Sequence, residues 1–305
     1  MRRTVLILIA ALFAIGIAFK TTPAHAVEGK VGLTMMYDWW KPGFLAFENA
    51  TVANLYGDAF SDDLEGSFMM GPTLSLGINS QWTFGTTLLF GLSRNEFTHA
   101  SYAADLDVLR AGILGAYLES GKSKARRYDW DINFDYAFHK YLSLLIGVRF
   151  NYADGEGEAF RLGLVGPRFD FMDQKEFSAW YLGPSLGLGF HYEFIKGLVL
   201  NVGVSALIQF GQYDSERRFL DTWLLLIPYD YSAGYFCIGL DNNVRLGYLI
   251  APISLEVFIG GRYIVLPHIA AGGDSPAWDL SHQKDWIGGE VEHWGGLYFG
   301  AAYKF

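Results

Sequence analysis

Residues 128–138 read YDWDINFDYAF, and a few positions later residues 142–152 read LSLLIGVRFNY. In both stretches a large apolar side chain occupies every second position, and most positions between them carry Asp, Asn, Ser, Gly or Arg. A helix would repeat about every 3.6 residues, whereas a period of two is typical of a β-strand whose two faces differ. The two stretches therefore predict a pair of strands joined by a tight turn.

The same alternation recurs along most of the chain, at residues 31–39, 66–78, 81–93, 180–194, 198–212, 253–266 and 297–305. The face opposite the large apolar side chains is rich in Gly, Ser and Thr with few charges, rather than in Lys and Glu. Small residues suit a confined interior, and large apolar residues suit lipid. This pattern predicts an all-β chain that forms a transmembrane antiparallel up-and-down β-barrel. A secreted soluble β protein is the alternative.

Composition excludes several other classes of protein. The chain has 305 residues, of which 51% are hydrophobic and 18% charged, and this argues against intrinsic disorder. A net charge of −9 argues against nucleic-acid binding. A single cysteine excludes an intrachain disulfide and a zinc site built on cysteines. Beyond the N-terminal region no apolar run approaches the length of a membrane-spanning helix.

The N-terminal region has the features of an export signal. Arg2 and Arg3 precede an uncharged apolar stretch at 5–19, and Ala24-His25-Ala26 follows as an A-x-A cleavage pattern. We expect residues 1–26 to be a cleaved signal peptide and residues 27–305 to form one barrel domain. An uncleaved membrane anchor is the alternative, although the apolar stretch is shorter than the roughly 20 residues of a spanning helix.

Turn signals set the expected strand number. Short turns are predicted at 79–80, 139–140, 195–197 and 251–252, and long connections near 41–65, 94–124, 154–177, 213–232 and 267–287. Outer-membrane barrels keep short turns on the periplasmic side and long loops outside, and their strand number is even. Four turns and five loops predict ten strands. Twelve is the alternative if residues 106–119 and 159–171 each add a strand.

The chain closes with LYFGAAYKF at residues 297–305, which places aromatic side chains at alternate positions before a terminal Phe305. This segment resembles the C-terminal signature of Gram-negative outer-membrane proteins. The resemblance implies that it is the closing strand, that the barrel-assembly machinery reads Phe305, and that the protein resides in the cell outer membrane. In layout the chain is similar to ten-stranded omptin-type barrels and twelve-stranded nucleoside-channel-type barrels, although neither family's motif is found in its residues.

The polar face of the strands predicts a charged network inside the barrel. Its expected members are Arg127, Asp129, Asp131, Asp135, Arg149, Glu193, Asp241, Arg245, Glu256 and Arg262. A ten-stranded lumen is near the size that side chains fill, and enclosed charges persist when they are paired. We therefore expect an integral outer-membrane protein with a largely filled lumen and surface-exposed loops, in contact with membrane lipid. A narrow diffusion channel for small solutes is the alternative.

A hydrolase at the rim of the barrel is a second alternative, because nearby Asp and His side chains could activate water or hold a cation. Its candidate residues are Asp62, Asp63, His268, Asp274, Asp279, His282, Asp285, Glu290 and His293. The sequence contains no nucleophile motif and no metal-ligand spacing such as H-E-x-x-H. We therefore expect no enzyme, cofactor or metal, and we expect surface ligands or small solutes as the partners.

Overall fold

The computed structural model describes residues 28–42, 66–105, 115–165, 171–220, 226–273 and 291–305. Eleven strand segments account for nearly all of these residues, with one short 3₁₀ turn between two of them. Within the described ranges no helix is long and apolar enough to cross a membrane.

The strands are numbered in chain order. They are β1 Gly29–Lys41, β2 Gly66–Gly77, β3 Trp82–Gly91, β4 Asn95–Asp105, β5 Gly115–His139, β6 Leu142–Val165, β7 Phe171–Ile195, β8 Leu198–Leu220, β9 Leu226–Ile250, β10 Leu255–Gly273 and β11 Val291–Lys304. The 3₁₀ turn covers Ala251–Ile253.

All pairings are antiparallel, and the sheet closes on itself. The last strand β11 pairs with β1, with Lys30 opposite Lys304. Both β3 and β4 pair with β5, β3 along its second half and β4 along its first half. The two segments therefore form one interrupted strand of the wall, and the sheet is a closed barrel of ten strands. The prediction of a ten-stranded antiparallel barrel is confirmed.

The residues that could have supplied two further strands extend existing ones instead. Residues 115–119 belong to β5, and residues 159–165 belong to β6. The rest of the first candidate, 106–114, lies outside the described residues. So do residues 166–170 of the second candidate, whose last residue begins β7.

The four tight turns lie at one end of the barrel, which we name the turn end. In the first, the Asn79 side chain accepts hydrogen bonds from the backbone N–H groups of Gln81 and Trp82. The second turn is at 140–141, one residue later than predicted. The third uses Gly197 at φ 89°, a left-handed conformation that favours glycine. Both ends of the described chain lie at this end too, because Gly29 and Phe305 exchange backbone hydrogen bonds.

The opposite end, which we name the hairpin end, corrects the prediction of long loops. Strands β5 to β9 have 23 to 25 residues each, about twice the 9–11 that cross a membrane. Much of 94–124, 154–177, 213–232 and 267–273 therefore continues the ladder. The hydrophobic alternation is lost there because charged side chains such as Lys122 and Glu158 occupy the outer face, while backbone pairing continues.

The two faces of the wall are arranged as the alternation predicted. Large apolar side chains such as Trp130 and Leu186 point outward and are exposed, by 45% and 58%. Aromatic rings follow the outer face in two belts. Near the hairpin end Tyr128 lies 5.8 Å from Tyr152, and near the turn end Trp82 lies 4.8 Å from Tyr136. The outer face is thus an apolar band between two aromatic belts, as in transmembrane barrels.

Candidate functional site

Six charged side chains on inward-facing positions form one connected group inside the barrel, which we name the central network. Its members are Arg127, Asp129 and Asp131 on β5, Arg149 on β6, Asp241 on β9 and Arg262 on β10. The spacing along β5 places its three members on the same face, since side chains two apart on a strand point the same way.

The central network crosses the full width of the lumen. The Arg262 guanidinium on β10 donates one hydrogen bond to Asp131 on β5, which is five strands away in either direction around the ten-stranded ring. Arg262 Nε also donates to Asp241 Oδ1 at 2.9 Å. From β6, the neighbour of β5, Arg149 Nη1 donates a hydrogen bond to Asp241 Oδ2 at 3.2 Å. Side chains from opposite walls therefore meet at the barrel axis.

Arg127 and Asp129 extend this contact toward the hairpin end. Arg127 Nε donates to Asp129 Oδ1 at 3.0 Å, and Asn151 donates to the same carboxylate oxygen. Arg149 Nη2 lies 3.6 Å from Asp129 Oδ2. All four side chains are almost completely buried. Buried charges persist when they are paired, so the network holds its members in place.

Glu292 on β11 joins the central network to a second set of buried groups. Its Oε1 accepts from Arg127 Nη1 at 3.2 Å and from Trp40 Nε1 at 3.0 Å. Its Oε2 accepts from the Tyr181 hydroxyl at 2.9 Å and lies 3.2 Å from His268 Nε2. One carboxylate thus collects contacts from four other strands, and this fixes the position of β11 relative to the opposite wall.

The indole ring of Trp294 lies among the arginines. The guanidinium carbons of Arg127, Arg149 and Arg262 lie 4.5, 4.8 and 5.5 Å from the ring centroid. Trp294 Nε1 donates to Asp38 Oδ2 at 3.1 Å. The ring packs against the ion pairs on the side of the hairpin end, and cation–π attraction between the ring and the guanidinium groups adds to this packing.

A smaller ion cluster lies nearer the turn end. Arg245 Nη2 and Lys30 Nζ each lie 2.6 Å from a different oxygen of Glu256. The Arg245 guanidinium stacks 3.9 Å from the centroid of the Phe258 ring. Lys30 is 42% exposed, so this cluster lines the lumen without spanning it.

Between the central network and the turn end, strands β3, β5, β7 and β8 carry small or short polar residues at inward-facing positions. A Cβ atom added to Gly85 would find its nearest neighbour 4.0 Å away. Gly187, Ser185 and Ser205 are partly exposed, and Asn133 is exposed. Solvent therefore reaches this part of the inner wall, between the turn end and the central network.

The structure brings eight of the ten predicted network residues into these two clusters. The other two lie elsewhere. Asp135 is partly exposed near the turn end. Glu193 is exposed and accepts a hydrogen bond from the Gly197 backbone at 2.7 Å, so it stabilises a turn. Both are on the inward parity of their strands, but they lie too near the turn end to reach the central network.

Sequence reasoning missed several members of the buried site. Glu292 and Trp294 lie on the inward parity of β11, which can be counted back in steps of two from Lys304 through Gly296. Trp40 was overlooked because the outward Trp39 precedes it. The prediction of His268 as a rim residue is wrong, since its side chain is buried in the lumen and 1% exposed. Strand β10 continues through position 268, so the residue lies in the wall and not in a loop.

The rim hydrolase candidates do not form a site among the described residues. His293 lies on the outer face, where its ring nitrogen pairs with the Tyr263 hydroxyl at 2.8 Å. The described ranges contain no group of three His, Cys, Asp or Glu side chains placed to hold a metal ion. The remaining candidates, Asp62, Asp63, Asp274, Asp279, His282, Asp285 and Glu290, lie outside the described residues.

Strands β5 to β8 also carry charged side chains on their outer face at the hairpin end. They line a shallow hollow of about 450 Å³ whose polar residues include Lys122, Lys124, Glu158 and Arg218. One row across it places Glu156, Glu176 and Glu216 opposite one another on adjacent strands. Glu156 is paired with Arg94, but Glu176 and Glu216 face each other directly, and like charges in cross-strand positions are destabilising.

No family model matches the chain, and no curated protein sequence matches it significantly. Among solved structures, it is similar to the outer membrane protease OmpT from Escherichia coli, with 9% sequence identity, a TM-score of 0.51, and coverage of 92% of this chain and 96% of that one. It also matches the Pseudomonas putida toluene transporter TodX, with 11% identity, a TM-score of 0.36, and coverage of 92% and 89%. At these identities the similarity to OmpT shows the fold, that of an outer-membrane β-barrel.

Proposed function

We propose that this chain is an integral protein of the Gram-negative outer membrane whose lumen is closed to solutes and whose extended hairpins lie at the cell surface. In this orientation the turn end faces the periplasm, and the hairpin end faces outward, as in other barrels of this type. The apolar band with its two aromatic belts supports the membrane placement.

The observation that carries the closed lumen is the contact between Arg262 and Asp131. Because the two side chains come from diametrically opposite strands, their hydrogen bond crosses the barrel axis, and this supports a lumen closed at this level. Trp294 and the Glu292 contacts add a second layer toward the hairpin end. A narrow diffusion channel would need a continuous polar passage at this level, and the packed side chains argue against it.

The extended hairpins supply the surface role. Strands β5 to β9 project well beyond the length that crosses a membrane, and beyond the apolar band the outer face of β5 to β8 carries charged side chains. A rigid charged sheet held above the membrane is suited to contacts with surface ligands.

Membrane placement is tested by fractionation of cells that produce the full chain. We expect the protein in the outer-membrane fraction, with a gel mobility that changes on heating because the folded barrel resists detergent. Recovery in the periplasm as a soluble protein would contradict the placement.

Closure is tested by liposome swelling with the purified protein. We expect no uptake of small sugars by liposomes that contain the wild type. A variant with alanine at Asp131, Arg149, Asp241, Arg262 and Trp294 removes charges of both signs together with the indole, and we expect it to admit small sugars. Heat-dependent gel mobility of this variant checks that it has folded. Rapid swelling with the wild type would overturn the closed lumen.

A further inference from the structure

The outer face of β9 carries one polar side chain at the middle of the apolar band. Asn242 lies on the outward parity of this strand, six residues from each of the aromatic residues Phe236 and Tyr248 that mark the two belts. Its neighbours along the strand, Leu240 and Val244, are exposed by 52% and 48%. Asn242 therefore faces the region that the proposed function assigns to the bilayer core.

The amide of Asn242 is poorly satisfied within its own chain. Its Nδ2 makes one long hydrogen bond, 3.5 Å, to the Tyr263 carbonyl oxygen on β10. No group in the described part of the chain donates to its Oδ1. Lipid tails offer no hydrogen bonds, and an unsatisfied polar group in hydrocarbon is costly. The side chain is also too short to reach either interface from the middle of the band.

A depression lies beside this amide. Gly261 on β10 faces outward, diagonal to Asn242, and a Cβ atom added there would meet only ordinary contacts at 3.7 and 3.8 Å. On the other side, the outward residue Ala206 on β8 is also small. Around the depression the longer side chains of Leu240, Val244 and Ile259 form an apolar rim. Between transmembrane helices, small residues beside polar side chains let two protein surfaces approach closely and form hydrogen bonds, and this part of the wall offers the same combination.

The amide also indicates which partner fits. An asparagine side chain carries both a donor and an acceptor, so two copies related by a two-fold axis can exchange two hydrogen bonds. Such an axis must run along the membrane normal because both copies are inserted in the same direction. Asn242 lies at mid-height on a convex wall, so two copies can bring these residues together at the axis, with Gly261 of each copy facing the side of the other that carries Ala206.

We propose that the wall around Asn242, Gly261 and Ala206 is a contact surface for a second copy of this chain within the membrane. The inference rests on the membrane placement in the proposed function, because the amide needs a protein partner only if hydrocarbon surrounds it. It is independent of whether the lumen conducts.

The test compares the oligomeric state of the full chain with that of Asn242→Leu, in lipid nanodiscs or mild detergent, by native mass spectrometry. We expect a dimer for the wild type. For Asn242→Leu we expect about a tenfold weaker dimer, the effect of losing one to two intramembrane hydrogen bonds. A bulky Gly261→Trp substitution fills the depression and should have the same effect. The matched control is Leu88→Trp on β3, five strands away on the opposite wall, which should leave the dimer intact.

Cross-linking locates the contact. In a Cys237→Ala background that keeps Asn242, we expect Val244→Cys, next to it on the outer face of β9, to form a disulfide-linked dimer in the membrane, and Leu88→Cys to form none. A wild-type protein that is monomeric at all concentrations would overturn the inference, as would a dimer that Asn242→Leu leaves unchanged. If the protein inserts into membranes and stays monomeric, only this inference falls. If it fails to insert at all, the proposed function falls.

Discussion

The Trp294 indole lies 4.5 Å from the guanidinium carbon of Arg127, an arginine that approaches it from a strand on the far side of the lumen. Two further arginines approach the same ring. An aromatic ring among three cations would be unstable if the cations were not neutralised, and in this lumen each pairs with at least one carboxylate. The ring and the ion pairs therefore stabilise each other.

Replacing Trp294 should destabilise the barrel more than replacing an outward tryptophan. Trp294→Leu removes the ring from a fully buried site and leaves a cavity, so we expect the free energy of unfolding to fall by about 3 kcal/mol. Trp130→Leu, on the exposed outer face, should change it by less than about 1 kcal/mol. Urea unfolding in lipid vesicles, followed by gel mobility, measures both values. Equal losses would contradict the burial of Trp294 among the arginines.

Breaking the ion pairs from one side should be more damaging than removing both partners. Asp131→Asn leaves Arg262 and Arg149 short of a buried counter-charge, and such losses cost about 3–5 kcal/mol. The double variant Asp131→Asn/Arg262→Gln should recover part of this loss. Arg94→Ala breaks an exposed pair with Glu156 and should cost about 1 kcal/mol or less. The same urea titration separates the three variants, and a loss for Asp131→Asn no larger than for Arg94→Ala would count against a buried network.

Thiol labelling should map the boundary between the open and the closed part of the lumen. The native Cys237 is completely buried, so we expect a soluble maleimide to leave it unmodified until the protein is unfolded. Gly85 lies on the inner wall between the central network and the turn end, and a Cβ atom added there has its nearest neighbour 4.0 Å away. The thiol of Gly85→Cys should therefore react in the folded protein. Mass spectrometry of the labelled protein gives the answer. Rapid labelling of Cys237 in the folded barrel would show that solutes enter the part of the lumen between the central network and the hairpin end.

Two glycines of the wall should differ sharply in their tolerance of a methyl group. A Cβ atom at Gly71 would lie 1.7 Å from the Leu88 carbonyl oxygen, a backbone atom that cannot move aside without disturbing the ladder. We expect Gly71→Ala to cost about 1–3 kcal/mol or to block refolding. Gly85→Ala meets open space and should be close to neutral. Refolding yield and urea midpoint measure the difference, and similar values for the two variants would contradict the close approach of β2 and β3 at Gly71.

The row of glutamates on the outer face should be a site where a neutral residue stabilises the protein. Glu176 has Glu156 on one neighbouring strand and Glu216 on the other, so Glu176→Gln relieves two like-charge contacts. We expect a gain of about 0.2–1 kcal/mol, and a smaller gain at 1 M salt because screening weakens the repulsion. A loss of stability at low salt would mean that the row is already neutralised by its neighbours.

The period-two pattern predicted which side chains face outward and which face the lumen. One physical contrast determines this choice, because the outer face contacts lipid and the inner face lines a confined interior. Trp130 and Arg149 could be assigned to opposite faces by counting alone. The long hairpins could not be predicted from hydropathy, since beyond the membrane a strand such as β6 can carry Glu156 and Glu158 outward without breaking the ladder. Pairing across the lumen was also beyond sequence reasoning. Parity places Asp131 and Arg262 inside, but only the closed ring brings β5 opposite β10.

The most direct test of the closed lumen is single-channel recording of the wild-type protein in a planar lipid bilayer. Insertion is verified by its heat-dependent gel mobility, and a known porin added to the same bilayer serves as the positive control. Because Arg262 and Asp131 join opposite walls, we predict a flat current trace with no stepwise openings at moderate voltage. Discrete and reproducible conductance steps from the wild type would contradict a lumen closed by these side chains.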